Sequence, residues 1–248
     1  MFKKFFTSAA PAAGPAAPAA APAGSASVSL RKDIVTLTKS AQESLASNDL
    51  AGQRAAVYLV LDRSGSMSRH YRNGTMQYLG EQALGLSRAL DDDGRVPVVF
   101  FSTGLDGTTV LDLDNYAGRI DTAHRQLGAM GRTNYTRAIR AVIEHYRESG
   151  ATDPAFVLFQ TDGSPDDRRE TEQMLIAAKE LPMFWSFVGF GDNIGFLQTI
   201  DDLPGIVDNT GFFHVPDPLH LDDEALYTGV TAQFRTYLVA ARAAGILR

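Results

Sequence analysis

Three polar residues at every second position, Asp62, Ser64 and Ser66, follow directly on the apolar run AAVYLVL at 55–61. That spacing suits a turn that folds alternate side chains toward one point, and Gly65 is expected to permit the tight bend. Two further polar loops offer oxygen at comparable places: GAMGRTNYTRAI carries Thr133 and FQTDGSPDD carries Asp162. Asp62, Ser64, Ser66, Thr133 and Asp162 are hard oxygen donors with no sulfur and no imidazole. Their chemistry suits Mg²⁺ or Mn²⁺, and Ca²⁺ less well. Mg²⁺ takes about six oxygens and retains waters, so five side chains, some acting through water, would fill most of its shell and leave a position open. Taken singly, each residue also reads as a turn or cap residue. The site is expected to be largely open to solvent.

Such donors need a scaffold. Strand-like runs occur at 55–61, 96–102, 108–113, 155–161, 183–190 and 211–215, and helical patterns separate them. Met76, Leu79, Ala83, Leu86 and Leu90 recur at helical spacing, as do Ala138, Ala141, Val142, His145 and Tyr146. Asp222 or Asp223 can cap one last helix through Leu226, Val230, Phe234 and Leu238. Apolar strands alternating with helices predict a Rossmann-like α/β fold with a mostly parallel six-stranded sheet and helices on both faces. The segment VPVVFFSTGLDGTTVLDL reads instead as a hairpin joined by a glycine-containing loop, giving one antiparallel edge strand. In an open α/β sheet, ligands bind beyond the carboxyl ends of the strands, where all three polar loops would lie.

The chain of 248 residues has a net charge of −6, 44% hydrophobic residues and no cysteine. The acidic balance argues against nucleic acid as a partner, since duplex binding relies on clustered Lys and Arg. Disulfides and thiolate-bound zinc are excluded, and the five histidines lack a zinc-binding spacing. Residues 1–27 form an Ala/Pro-rich tail expected to be disordered. Its MFKKFF start offers at most a weak contact with a membrane surface, and no run is long enough to span one. Residues 28–54 read as a strand and helix extension, the strand at Val28 and Leu30 and the helix at about 34–47. Residues 55–248 read as the main domain. Asp106, Asp112, Asp114 and the run Asp91–Asp93 read as turn and surface charges, Asp166 and Asp167 as caps of the helix that follows, and Trp185 as core.

DRSGS, GRTNYTRAI and TDG resemble the three loops of the von Willebrand factor A (vWA) domain. The stretches TDGSPDD, FWSFVGFG and VDNTGFFHV resemble, more narrowly, the A-type domains of bacterial tellurium-resistance and stress-response proteins. The resemblance implies a metal-ion-dependent adhesion site formed by Asp62, Ser64, Ser66, Thr133 and Asp162. It also implies a cytoplasmic, non-catalytic protein-interaction module in a tellurite or chemical-stress response. A protein partner would supply an acidic residue to the ion. Arg132 departs from the family, where many members carry a second glycine.

A metal-dependent hydrolase using Asp62 is the alternative, and a scaffold with a vestigial site a further one. Phosphatases with an aspartate nucleophile typically place a second aspartate two residues on, where this chain has Ser64. A phosphate-cradling glycine loop and a Gly-x-Ser-x-Gly elbow are also lacking. Seven arginines cluster around the loops: Arg63, Arg69, Arg72, Arg132, Arg137, Arg168 and Arg169. On a net acidic chain, expected to be monomeric, they are predicted to form a positive rim that steers an acidic partner segment.

Overall fold

The computed structural model describes residues 32–90, 93–201 and 203–247. The expected tail, the strand at Val28 and Leu30, and Asp91 and Asp92 lie outside them. Six strands form one sheet: β1 (Ala56–Asp62), β2 (Val96–Phe101), β3 (Leu105–Leu111), β4 (Ala155–Thr161), β5 (Met183–Phe190) and β6 (Thr210–Val215). Their order is β3-β2-β1-β4-β5-β6, and every pairing is parallel except β2 with β3. The chain therefore leaves β1 toward β2 on one side and returns to β4 on the other. Diverging connections open a crevice at the carboxyl ends of β1 and β4.

Strand alternation divides the core into two layers. Leu59, Leu61, Phe100, Phe156, Leu158 and Val188 face the first, beneath α1 (Ile34–Ser47), α2 (Ser68–Arg72), α3 (Thr75–Leu90), α8 (Asp223–Thr231) and α9 (Phe234–Ala243). Val60, Val99, Phe101, Val157, Phe159 and Trp185 face the second, beneath α5 (Tyr135–Ser149), α6 (Arg168–Ala178) and α7 (Gly195–Ile200). The remaining helix, α4 (Arg119–Gln126), packs against α3 and β3. Trp185 is fully buried, as expected of core. Each large apolar side chain so buried contributes ~1.5–3 kcal/mol, so these layers carry the fold.

Local chemistry sets the helix starts. Asp33 caps α1 through Thr36 N (2.8 Å), and Asp222 caps α8 through Ala225 N (3.1 Å). Asp223 turns inward instead. It accepts hydrogen bonds from Tyr78 and Gln82 and pairs with Lys32, tying α8 to α3.

Two expectations shift. The hairpin loop is shorter than the sequence suggests, because β3 begins at Leu105 and includes Gly107. That glycine marks a close approach, since a Cβ there would stand 2.6 Å from Leu127 Cδ2. The single last helix is two, α8 and α9. The Thr231 hydroxyl bonds back to Tyr227 O (2.7 Å) at the break, a contact that bends helices.

Candidate metal centre

Asp62 ends β1 in the middle of the sheet and is fully buried, contrary to the expected solvent-open position. Its Oδ1 accepts from Ser64 N (2.6 Å) and its Oδ2 from the Thr161 hydroxyl (2.6 Å). Burial pushes its carboxyl up to about 6, those two bonds oppose the shift, and the charge of Asp162 adds to it. The turn that follows is a short 3-10 helix, Gly65–Met67, which brings the two hydroxyls together with Ser64 Oγ 3.1 Å from Ser66 Oγ. Gly65 takes no positive φ and has open space beside it, so the bend does not depend on the glycine.

The third loop meets the first directly. Ser66 Oγ donates to Asp162 Oδ1 at 2.9 Å, and Ser64 Oγ lies 3.5 Å from the same oxygen. The structure thus groups Asp62, Ser64, Ser66 and Asp162 into one cluster. Thr133 is not bonded to them through its side chain. Its carbonyl accepts from Asp166 N (2.8 Å), which sets the second loop beside the third. Its hydroxyl makes no hydrogen bond among the described residues and does not cap α5. Asn134 takes that role through Arg137 N (3.3 Å).

The second loop is stitched to the first by backbone. Gly65 N donates to Gly131 O (3.0 Å) and Gly131 N to Arg63 O (3.3 Å). A Cβ on Gly131 would stand 2.5 Å from Thr103 Oγ1 and 2.8 Å from Ser102 Oγ, so the loop can sit this close only with glycine there. Asp167, expected to cap α6, accepts instead from Tyr135 N (3.1 Å) and Thr136 N (3.0 Å) at the start of α5.

The arginine rim needs correcting at its first member. Arg63 is 1% exposed and points away from the mouth of the site. It donates to Asp106 Oδ2 (2.5 Å), to Gly128 O (2.7 Å) and to His124 Nδ1 (3.1 Å). Asp106 is therefore a part-buried counter-ion rather than a surface charge, and it also accepts from Ser102 Oγ (2.7 Å). Burial and the neighbouring Arg63 hold His124 below its ordinary value, and its Nδ1 accepts from the Arg63 Nε–H. Arg132 forms a forked pair with Asp166, and Arg168 lies 5.8 Å from the Phe196 ring centroid. Arg69, Arg72, Arg137 and Arg169 are exposed.

A cleft of about 420 Å³ opens beside Asp162, lined by Arg69, His70, Phe190, Pro216 and Leu219 among others. Sequence reasoning missed it, because its walls come from four separate segments: α2 and the carboxyl ends or following loops of β4, β5 and β6. Among the described residues no three His, Cys, Asp or Glu side chains group as metal ligands. The donor set here is two carboxylates and neighbouring hydroxyls. It fits a hard divalent cation, which would neutralise two acids whose like charges oppose each other.

A doubly wound sheet with these three loops at its carboxyl edge defines a von Willebrand factor A-type domain. The chain belongs to the vWA-TerF-like family, the vWA domain found in the TerF C terminus, which it matches over residues 54–247. The Uncharacterized protein YcbR of Bacillus subtilis (strain 168) is 31% identical over 216 residues, 85% of this chain and 88% of its own length. Solved structures share the fold at lower identity. The manganese-loaded TRAP protein of Plasmodium vivax is 20% identical with a TM-score of 0.51, and the match covers 73% of each chain. Proximal thread matrix protein 1 from the mussel byssus is 15% identical with a TM-score of 0.52, covering 73% of this chain and 48% of its own. This chain thus spans about half the length of the mussel protein. No helix among the described residues is long and apolar enough to cross a membrane.

Proposed function

We propose that this chain is a non-catalytic protein-interaction module whose binding depends on a divalent cation, Mg²⁺ or Mn²⁺. The observation that carries the reading is the state of Asp62. It is fully buried, has no ion pair among the described residues, and lies close enough to Asp162 to feel its charge. Two acids so placed, with Ser64 and Ser66 beside them, are arranged to share a cation. Asp62, Ser64, Ser66 and Asp162 would hold it, and Thr133 would reach it from the second loop. A bound cation supplies positive charge with a coordination position free for one more oxygen anion.

The chain's own residues then select the partner. An acidic side chain of a protein partner would enter from the open face, where Arg69, Arg72, Arg137 and Arg169 are free to attract it. The cleft beside Asp162 would take the residues that flank that acid. The family, with the TerF C terminus in its description, supports a role in the response to tellurite or related chemical stress; on our reading the module acts in the cytoplasm and as a monomer. The manganese-loaded TRAP protein supports the choice of a divalent ion for a domain of this fold.

The test is calorimetry with Mg²⁺ and Mn²⁺, followed by co-purification from tellurite-treated cells with and without EDTA. The expected result is a single divalent site and a partner released by EDTA. A wild-type protein that binds neither ion would overturn the reading.

A further inference from the structure

Arg63 lies in sequence between two ligand candidates, Asp62 and Ser64, yet its guanidinium turns away from them. Its side chain is 2% exposed and ends in three bonds to three separate segments. Asp106 belongs to β3, His124 to α4, and Gly128 O to the loop that runs on to Thr133. That loop is held again at Gly131, by the backbone of Arg63 and Gly65, and at Asn134, whose N–H donates to Ser102 O (2.8 Å). One residue thus grips the second loop twice, with its main chain at Gly131 and its side chain at Gly128. The same residue is joined by a peptide bond to the buried Asp62.

We infer that Arg63 is a positioning residue for the metal centre. Its guanidinium, anchored on Asp106, sets where the 128–133 loop lies and so how far Thr133 stands from Asp62, Ser64 and Ser66. This rests on the metal reading above. Asp106 fixes the guanidinium, His124 and Gly128 O use its other edges, and Thr133 is carried at the end of the lever. A lysine could keep the charge near Asp106, but a single ammonium cannot present the planar fork that reaches all three acceptors. Groups that orient ligands without touching the ion typically change its affinity by about 10–100-fold.

The test uses the full chain and Mg²⁺ alone, with calorimetry at 25 °C for affinity and thermal melts in EDTA for stability. Arg63→Lys is expected to weaken Mg²⁺ binding by about ten-fold or more. Thr133→Ala is also expected to weaken it. Arg63→Lys in the Thr133→Ala background should cost no further affinity, because the ligand it positions is gone. Arg63→Met with Asp106→Asn removes the buried guanidinium together with its part-buried counter-ion, a change that often leaves stability near the starting value. This pair should melt close to wild type and still bind Mg²⁺ weakly.

A residue that only holds the fold together would lower the melting temperature and leave the affinity of the native protein unchanged. Wild-type affinity in both Arg63 variants would therefore overturn the inference. So would losses from Arg63→Lys and Thr133→Ala that multiply in the double variant. A wild-type chain that binds no Mg²⁺ would instead remove the metal reading itself, and this inference with it.

Discussion

Replacing Asp62 by Asn should stabilise the metal-free protein while abolishing its response to metal. Asp62 is fully buried, and burial raises its carboxyl to about 6. Holding a carboxyl near 6 in the fold, against its ordinary 3.8, corresponds to ~3 kcal/mol lost once the group is ionised. The direction in pH follows. The folded chain keeps the proton to about 6 and the unfolded chain releases it near 3.8. Metal-free stability is therefore greatest below the lower value and falls as pH rises through the upper one. Asn removes the charge and keeps the shape. Its carbonyl can still accept from Ser64 N, and its amide can donate to the Thr161 hydroxyl, which has another acceptor in Gly163 O at 3.3 Å. At pH 7.5 in EDTA the variant should gain ~1–3 kcal/mol, read as a Tm higher by roughly 2–12 °C at about 2–4 °C per kcal/mol for a domain of this size. Saturating Mg²⁺ should raise wild type by ~3 kcal/mol at a hundred times its Kd, and leave the variant unmoved. The two proteins should thus change places on adding metal, and their difference in EDTA should shrink at pH 4. A variant that melts below wild type in EDTA, or gains as much from Mg²⁺, would refute the argument.

Gly131→Ala places a methyl group against Thr103 and Ser102, so a loss of ~1–3 kcal/mol and weaker Mg²⁺ binding are expected from melts and calorimetry. Arg69→Glu with Arg72→Glu should slow association with an acidic partner and flatten its salt dependence, with Mg²⁺ affinity the same or higher. Equal rates and slopes in stopped flow at several ionic strengths would count against the rim. Asp223→Ala leaves Lys32, Tyr78 and Gln82 without their shared acceptor and should cost ~2–4 kcal/mol in urea unfolding, with Mg²⁺ affinity unchanged.

The fold was legible because its strands are continuous apolar runs ending in polar loops. Strand positions follow from that pattern, as does a mostly parallel sheet with one antiparallel edge strand. Asp62, Ser64 and Ser66 were legible for the same reason, since a buried strand has little other use for a carboxylate at its end. Side-chain direction was not. Asp167 sits at the start of α6, and local rules assign it to that helix. A backbone bond between loops 33 residues apart, from Asp166 N to Thr133 O, instead brings it to the first turn of α5. Arg63 and Asp106 read separately as exposed charges, and only the β2–β3 hairpin, folding back toward the first loop, makes them partners. One signal was available. If Asp62 and Ser64 face one point, the residue between them must face the other way, and at the end of a central strand that means inward.

That inward turn also bears on what Asp62 is for. A carboxylate buried for structural reasons is expected to have a cation or a full set of donors, because an unneutralised buried charge destabilises the fold. This chain places a guanidinium one residue from Asp62, and that guanidinium pairs with Asp106, on a different strand. The charge of Asp62 is left facing Asp162 and two hydroxyls, and its raised carboxyl is the measure of the cost. Local arrangements that conflict with stability in this way collect at functional sites. The two hydrophobic layers can tolerate a loss of ~3 kcal/mol at one position, since a single buried Leu or Phe contributes a comparable amount. A cation shared by Asp62 and Asp162 would reverse that cost. The same pair of residues therefore explains why Arg63 is withheld from Asp62 and why the metal-free chain should be the less stable form.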